Sequence, residues 1–224
     1  MKKNILVVVA HSDDETIGLA GTMKKHILEG DEVNVISMTD GVGSREKSGS
    51  SEISQRIKAA TKASNQIGFN WKENYNFNDN ALDSYPILEL IKCIEKTKDE
   101  LRPEIVYTHS GADLNIDHKL VARSVLTAFR PQPEESCKEI RLFEVASATD
   151  FGHDKITGSF IPNLFIDISK TWEEKELALQ AYGEEMREYP HSRSIEAIKN
   201  LAKIRGNQVG LHMAEAFQVI RKII

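Results

Sequence analysis

A chain of 224 residues with 29 Lys and Arg against 34 Asp and Glu carries a formal charge of -5, the two signs intermixed along its length. That balance leaves no basic footprint for nucleic acid or for an anionic membrane surface, and it points to small-molecule partners. The hydrophobic fraction of 40% is ordinary for a globular protein. No apolar stretch approaches the ~20 residues that span a bilayer, so a water-soluble chain with no integral membrane segment is expected.

Asn4-Ile5-Leu6-Val7-Val8-Val9-Ala10 is too continuously apolar to be half exposed. It reads as a strand buried on both faces of a parallel sheet, and not as a signal peptide, because it lacks a small-residue cleavage site. The strand breaks into His11-Ser12-Asp13-Asp14-Glu15-Thr16. One imidazole and three carboxylates thus stand beyond a strand's carboxyl end, where open α/β sheets gather ligands. Carboxylates so crowded repel one another unless a cation offsets them, and a divalent metal would.

Thr16 to Glu29 carries a helical apolar stripe stopped by Gly30, and Glu32 to Thr39 reads as a second strand. A polar loop from Asp40 to Ser51 leads to a helix ending at Ile67 with Gly68 as its cap and Arg56 in its early turns. A short strand at Tyr75 to Phe77 precedes the Asp79 to Asp83 turn, and a helix follows from Tyr85 to Arg102, ended by Pro103. Glu104 to His109 is again a strand, feeding the loop Ser110 to Leu114 and a helix from Asn115 to Phe129. Further strands fall at Ile140 to Val145 and Leu164 to Ile168. The last quarter reads as helical, from Lys170 to Met186 and Ser194 to Ile204, split at Tyr189 to Arg193.

Strands alternating with amphipathic helices predict an α/β, Rossmann-like three-layer fold with a mostly parallel sheet and an extra helical and strand portion at the C-terminus. Right-handed crossovers make the first and fourth strands candidate neighbours. The length suits one domain over 1–224, its site core in about 1–130 and residues 131–224 completing the pocket. Cys93 and Cys137 lie far apart and outside any C-x-x-C pattern, so neither a disulfide framework nor a zinc-cysteine site is expected, and a cytoplasmic location fits.

Catalytic zinc keeps three ligands from His and carboxylate plus an open position, and His11, Asp14 and His118 supply that count. Asp13 remains beside them for general acid-base work.

His-x-Asp-Asp-Glu closing the first strand, with a later Asp-His on a helix, resembles the LmbE-like (PIG-L) metal-dependent de-N-acetylases. The resemblance implies a hydrolase that removes an acetyl group from an N-acetylglucosamine-type glycoconjugate or thiol precursor. It assigns His11, Asp14 and His118 to zinc, with iron(II) or another divalent metal as the alternative in the cell, and Asp13 to the general base. It places Arg56 on the sugar or acetate and Asp79 near the sugar. Tyr189-Pro190-His191-Ser192-Arg193-Ser194 is similar to a subgroup associated with surface-polysaccharide genes, which puts His191 and Arg193 among the substrate-binding candidates. Ser12 stands where the family usually has proline, and Asn115 where it has the first histidine of His-Pro-Asp-His. Against that motif, the Asn115 amide is able to donate a hydrogen bond to developing negative charge but not to shuttle a proton, His109 and His191 are the candidates for that shuttle, and Asp117 is the candidate to orient a ligand imidazole. A lipid- or nucleotide-linked amino sugar and a homo-oligomer both remain open. So do two rival functions, a catalytically silent metal- or sugar-binding module and an aspartyl-phosphatase-like hydrolase.

Overall fold

The computed structural model describes residues 2–39, 41 and 50–224, without the side chains of Ser50 and Ser51. Most of the polar loop expected between Asp40 and Ser51 lies outside the described residues. The first half of the fold runs β1 (Asn4–Val9), α1 (Asp14–Leu28), β2 (Glu32–Thr39), α2 (Ser50–Ile67) and β3 (Asn70–Phe77). A 3-10 turn at Leu82–Ser84 leads to α3 (Ile87–Leu101), β4 (Ile105–His109) and α4 (Ile116–Ala128). Then follow β5 (Glu139–Phe143), α5 (Asp154–Thr157), β6 (Leu164–Asp167), α6 (Trp172–Ala181), α7 (Ile195–Asn207) and β7 (Ala214–Lys222).

The strands form one sheet in the order β3-β2-β1-β4-β5-β7-β6. The first five are parallel, and β7 runs antiparallel to both its neighbours. As expected, β1 and β4 are paired, Val8 opposite Thr108, so both of their carboxyl ends open onto one edge. Alternation along β1 splits the core: Ile5, Val7 and Val9 pack with α1, α2 and α6, whereas Leu6, Val8 and Ala10 pack with α3 and α4. A strand covered on both faces has no exposed side, which is why its sequence shows no polar alternation. The α/β class with a mostly parallel sheet is as expected.

Three expectations about elements require correction. The last quarter is not wholly helical, because Ala214–Lys222 is a strand inserted between β5 and β6. Its Ala, Glu and Lys residues have low strand propensity and hid it. The strand expected only at Tyr75 to Phe77 spans Asn70–Phe77; it is the sheet's edge, where alternating exposed polar residues are tolerated. The helix expected to reach Met186 ends at Ala181.

Helix α1 packs closely because Gly18 has no side chain: a Cβ there would lie 2.5 Å from the Phe143 ring. The helix is broken at Leu19 (φ -148°, ψ 19°), where backbone groups lose their helical partners. A buried pair replaces them. Lys175 Nζ donates to the Ile17 carbonyl at 2.8 Å, and Glu215 accepts the Gly21 and Thr22 N–H groups at 3.1 and 2.7 Å. Lys175 and Glu215 meet at 2.6 Å.

Candidate active site

The turn after β1 and the start of α4 bring three buried ligand atoms together. His11 Nδ1 lies 3.2 Å from Asp14 Oδ2, His118 Nε2 lies 3.3 Å from the same oxygen, and the two ring nitrogens are 3.3 Å apart. Donors at about 2.0 Å from a tetrahedral zinc are about 3.3 Å from one another, so this triangle has the right size for one face of such a site. Asp14 Oδ1 has no hydrogen-bond partner among the described residues.

The remaining ring nitrogens fix the tautomers. His118 Nδ1 is 3.0 Å from Asp113 Oδ2, and His11 Nε2 is 2.9 Å from Asp79 and 3.2 Å from Asp117. Where a cation replaces the inner proton, each imidazole would keep its N–H on carboxylate and turn its lone pair into the triangle, the arrangement that steadies metal-binding histidines. His11, Asp79 and Asp117 form a second cluster on the other side of the ring. Asp117 is already committed there: its two oxygens accept the Asn80 and Leu82 N–H groups at 2.7 and 3.0 Å. The Asp14 side is the better cation site.

Burial lowers the proton affinity of both imidazoles, but the acids around them prevail. Hydrogen bonds donated to Asp117, Asp14 and Asp79 hold His11 well above its usual value. The Asp14 charge and Asp113 lift His118 to about 9. Burial likewise raises Asp14, and the His118 charge with the hydrogen bonds of His11 and His118 overcomes it and holds it well below the usual carboxylate range. The field that favours protons on these rings is the field a cation would feel.

Asp13 is buried beside the triangle and points its oxygens at two arginines, Arg56 Nη2 at 3.1 Å and Arg193 Nη1 at 3.4 Å. Arg56 also pairs with Glu185 at 2.6 Å and donates to Ser12 Oγ at 3.1 Å, while its guanidinium lies over the Tyr182 ring. Glu15 locks this corner from below: it accepts the Asp13 N–H at 2.9 Å and the Tyr182 hydroxyl at 2.9 Å. Its burial pushes it up to about 7. Gly41, at φ 69°, passes within 3.3 Å of Arg56 when given a Cβ, so both its backbone and its closeness suit glycine.

Above the triangle is a cavity of about 190 Å³, lined by His11, Asp13, Asp79, Asn115 and His118 together with Arg56 and Arg193. A wider cleft of about 460 Å³ between α2 and α6 shares Arg56 and Glu185 with it but none of the ligand triangle. Asn115 Oδ1 caps α4 by accepting the Asp117 and His118 N–H groups at 2.8 and 3.4 Å. Its Nδ2 is thereby fixed as the outward group and donates to Asn80 Oδ1 at 3.2 Å.

Residues 6–129 match the family described as PIG-L, GlcNAc-PI de-N-acetylase. The chain belongs to the PIG-L family. This PIG-L protein is 25% identical over 188 residues to "Probable N-acetyl-alpha-D-glucosaminyl L-malate deacetylase 2" of Bacillus anthracis, covering 81% of this chain and 80% of that one. In fold it is similar to N,N'-diacetylchitobiose deacetylase from Pyrococcus horikoshii, with a TM-score of 0.77 and 23% identity over 98% of this chain and 84% of the other. It is similarly close to a 4-carboxy-2-hydroxymuconate hydratase from Pseudomonas putida, with a TM-score of 0.76 and 19% identity over 100% and 98% of the two chains. One fold therefore carries more than one reaction, and the site has to argue the chemistry.

Two PIG-L site candidates do not reach the cavity. His109 is fully buried beneath His118, their rings stacked at 3.9 Å, and its Nε2 accepts the Ala10 N–H at 2.8 Å. Burial and the His118 charge hold it well below its usual value, so it has neither the access nor the proton for a shuttle. His191 is exposed and packs edge-on against Phe151; its Nδ1 accepts the Arg193 N–H at 3.0 Å, so it shapes the loop carrying Arg193 without lining the cavity. Sequence reasoning missed Asp113, Asn80, Glu185 and Arg187. Asp113 had a signal, an acid in the loop before a ligand histidine, but the others sit in connections whose course only the fold fixes.

Proposed function

We propose that this chain is a metal-dependent hydrolase that removes the acetyl group from an N-acetylated amino sugar, its whole length forming one de-N-acetylase domain. The observation that carries the reading is the buried triangle of His11, Asp14 and His118 ligand atoms with the Asp13 carboxylate beside it on the cavity floor. Zinc held by these three residues would supply Lewis acidity toward the amide carbonyl. The same two-histidine, one-carboxylate set also suits iron(II).

Asp13 takes a proton from the attacking water and returns it to the departing amine, so one carboxylate serves both halves of the reaction. Arg56 and Arg193 hold it in place. The outward amide of Asn115 donates to the developing oxyanion, and the positive end of α4 beneath it adds to the same potential. Asp79, Arg56 and Arg193 then hold the sugar and acetyl group. N-acetylglucosamine conjugates of surface polysaccharide or thiol-glycoside biosynthesis are the candidate substrates, the malate conjugate named for the Bacillus anthracis relative among them. Among the described residues no helix is long and apolar enough to cross a membrane, and a cytoplasmic enzyme fits.

Acetate release across a panel of N-acetylglucosamine derivatives tests the reading. Chelation should abolish release, and one equivalent of zinc or, without oxygen, iron(II) should restore it. Tight metal binding with no acetate from any substrate would leave a silent binding module. Release of inorganic phosphate from a phosphosugar panel would favour the phosphatase.

Asn115→Ala is expected to lower kcat by about 10²-fold, the effect of losing one oxyanion donor, and to cost about 1 kcal/mol of stability through the lost cap. Steady-state kinetics and urea denaturation separate the two effects.

A further inference from the structure

The loop from Ser110 to Leu114, which leads into α4, is clamped by β5 and by the turn that follows it. Ser110 N–H donates to the Phe143 carbonyl at 2.9 Å and Leu114 N–H to the Ala148 carbonyl at 3.1 Å. Between those two backbone bonds lies Asp113, fully buried, with three donors on its carboxylate. Oδ1 accepts the Asn115 N–H at 2.9 Å, and Oδ2 accepts both the His118 Nδ1–H at 3.0 Å and the Thr149 hydroxyl at 2.7 Å.

The direction of the Thr149 bond is settled by its other contact. Its Oγ1 accepts the Val145 N–H at 2.9 Å, so its single proton goes to the carboxylate. An ionised carboxylate only accepts, and His118 Nδ1 is thereby held as a donor with Nε2 toward the triangle. Of the three bonds that orient Asp113, the one from Thr149 is the shortest. The neighbouring Ser147 serves a different arm: its Oγ accepts the Arg193 Nε–H at 2.9 Å, and Arg193 ends on Asp13.

Resting on the metal-site reading above, we infer that Thr149 is a positioning residue for the metal: acting through Asp113, its hydroxyl holds the His118 imidazole in the orientation that completes the ligand triangle. Thr149 itself lies outside both the triangle and the cavity above it. Its contribution is to fix the ring before the cation arrives, so that binding does not have to order it.

Zinc affinity, measured by competition with a chromophoric chelator and with no substrate present, tests the inference. Thr149→Val keeps the shape and removes the hydroxyl, and it should weaken binding about tenfold, the low end of the loss when an outer hydrogen bond to a metal ligand is removed. Thr149→Ser should return to within about twofold of the parent, since the hydroxyl is restored. Ser147→Ala, in the same turn, should leave zinc affinity unchanged whatever it does to turnover, which separates the hydroxyl's bond from the integrity of the turn. In an Asp113→Ala background, Thr149→Val should cause no further loss, because the group through which it acts is gone. Unchanged affinity in Thr149→Val, no rescue by serine, an equal loss in Ser147→Ala, or the same loss repeated in the Asp113→Ala background would each overturn the inference. Acetate release is scored separately: zinc bound with the expected pattern but no acetate from any substrate sinks the hydrolase and keeps the positioning role, whereas a parent chain that binds no zinc sinks both.

Discussion

Asp13→Asn is expected to lower kcat by about 10²- to 10⁴-fold while leaving the bound metal at one equivalent. The side chain keeps its size, and Arg56 keeps Glu185, so the fold should survive. The loss falls on proton transfer because Asp13 contributes no atom to the ligand triangle. His118→Ala should behave otherwise. It removes one of three ligands and leaves Asp113 facing an empty space, so metal content and turnover should fall together. Elemental analysis alongside kcat distinguishes the two classes. A fully active Asp13→Asn protein would overturn its role as base, and a His118→Ala protein with undiminished metal would overturn the ligand set.

The parts of this site that were legible in sequence are those fixed by strand ends. His11 and Asp14 follow a strand whose unbroken apolar run places it at the sheet's centre, and His118 follows the strand paired with it. Parallel pairing and short loops then leave little freedom, so two segments about a hundred residues apart in sequence converge. Arg56 was legible only through the family resemblance, since helical periodicity placed it in the early turns of α2 without saying that it would reach Asp13. His109 misled because a strand's last residue lies either at the mouth or beneath it, and the choice is made by packing. Here the ring stacks under His118 and accepts a backbone N–H. Asn80, Glu185 and Arg187 come from irregular connections, where side-chain direction depends on turns that carry no periodic signal.

The kink in α1 was invisible for a deeper reason. Ile17, Leu19, Ala20 and Met23 keep a helical stripe through the break, and the two residues that repair it lie about 160 and 195 positions later. One of them, Glu215, sits in β7, whose composition argued against a strand. Sequence periodicity reports which face is buried; it does not report whether every backbone group on that face has a partner.

Lys175→Met should expose what that repair is worth. The substitution keeps most of the aliphatic volume but leaves Glu215 buried without its cation and the Ile17 carbonyl without a donor. Breaking a buried pair from one side costs about 3–5 kcal/mol. The low end is expected here, because the Gly21 and Thr22 N–H groups continue to stabilise the carboxylate. Glu215→Gln loses the charge yet keeps an oxygen for one of those donors, so it should cost less. In the double variant the stranded charge is gone, and its destabilisation should fall short of the sum of the singles by about 1–3 kcal/mol. Urea midpoints of the four proteins close the cycle. The ligand turn at Asp14 begins the same helix, so a loosened kink should also weaken metal retention in Lys175→Met, which dialysis against a chelator measures. A single variant within about 0.5 kcal/mol of the parent would show that the broken helix needs no cation to hold it.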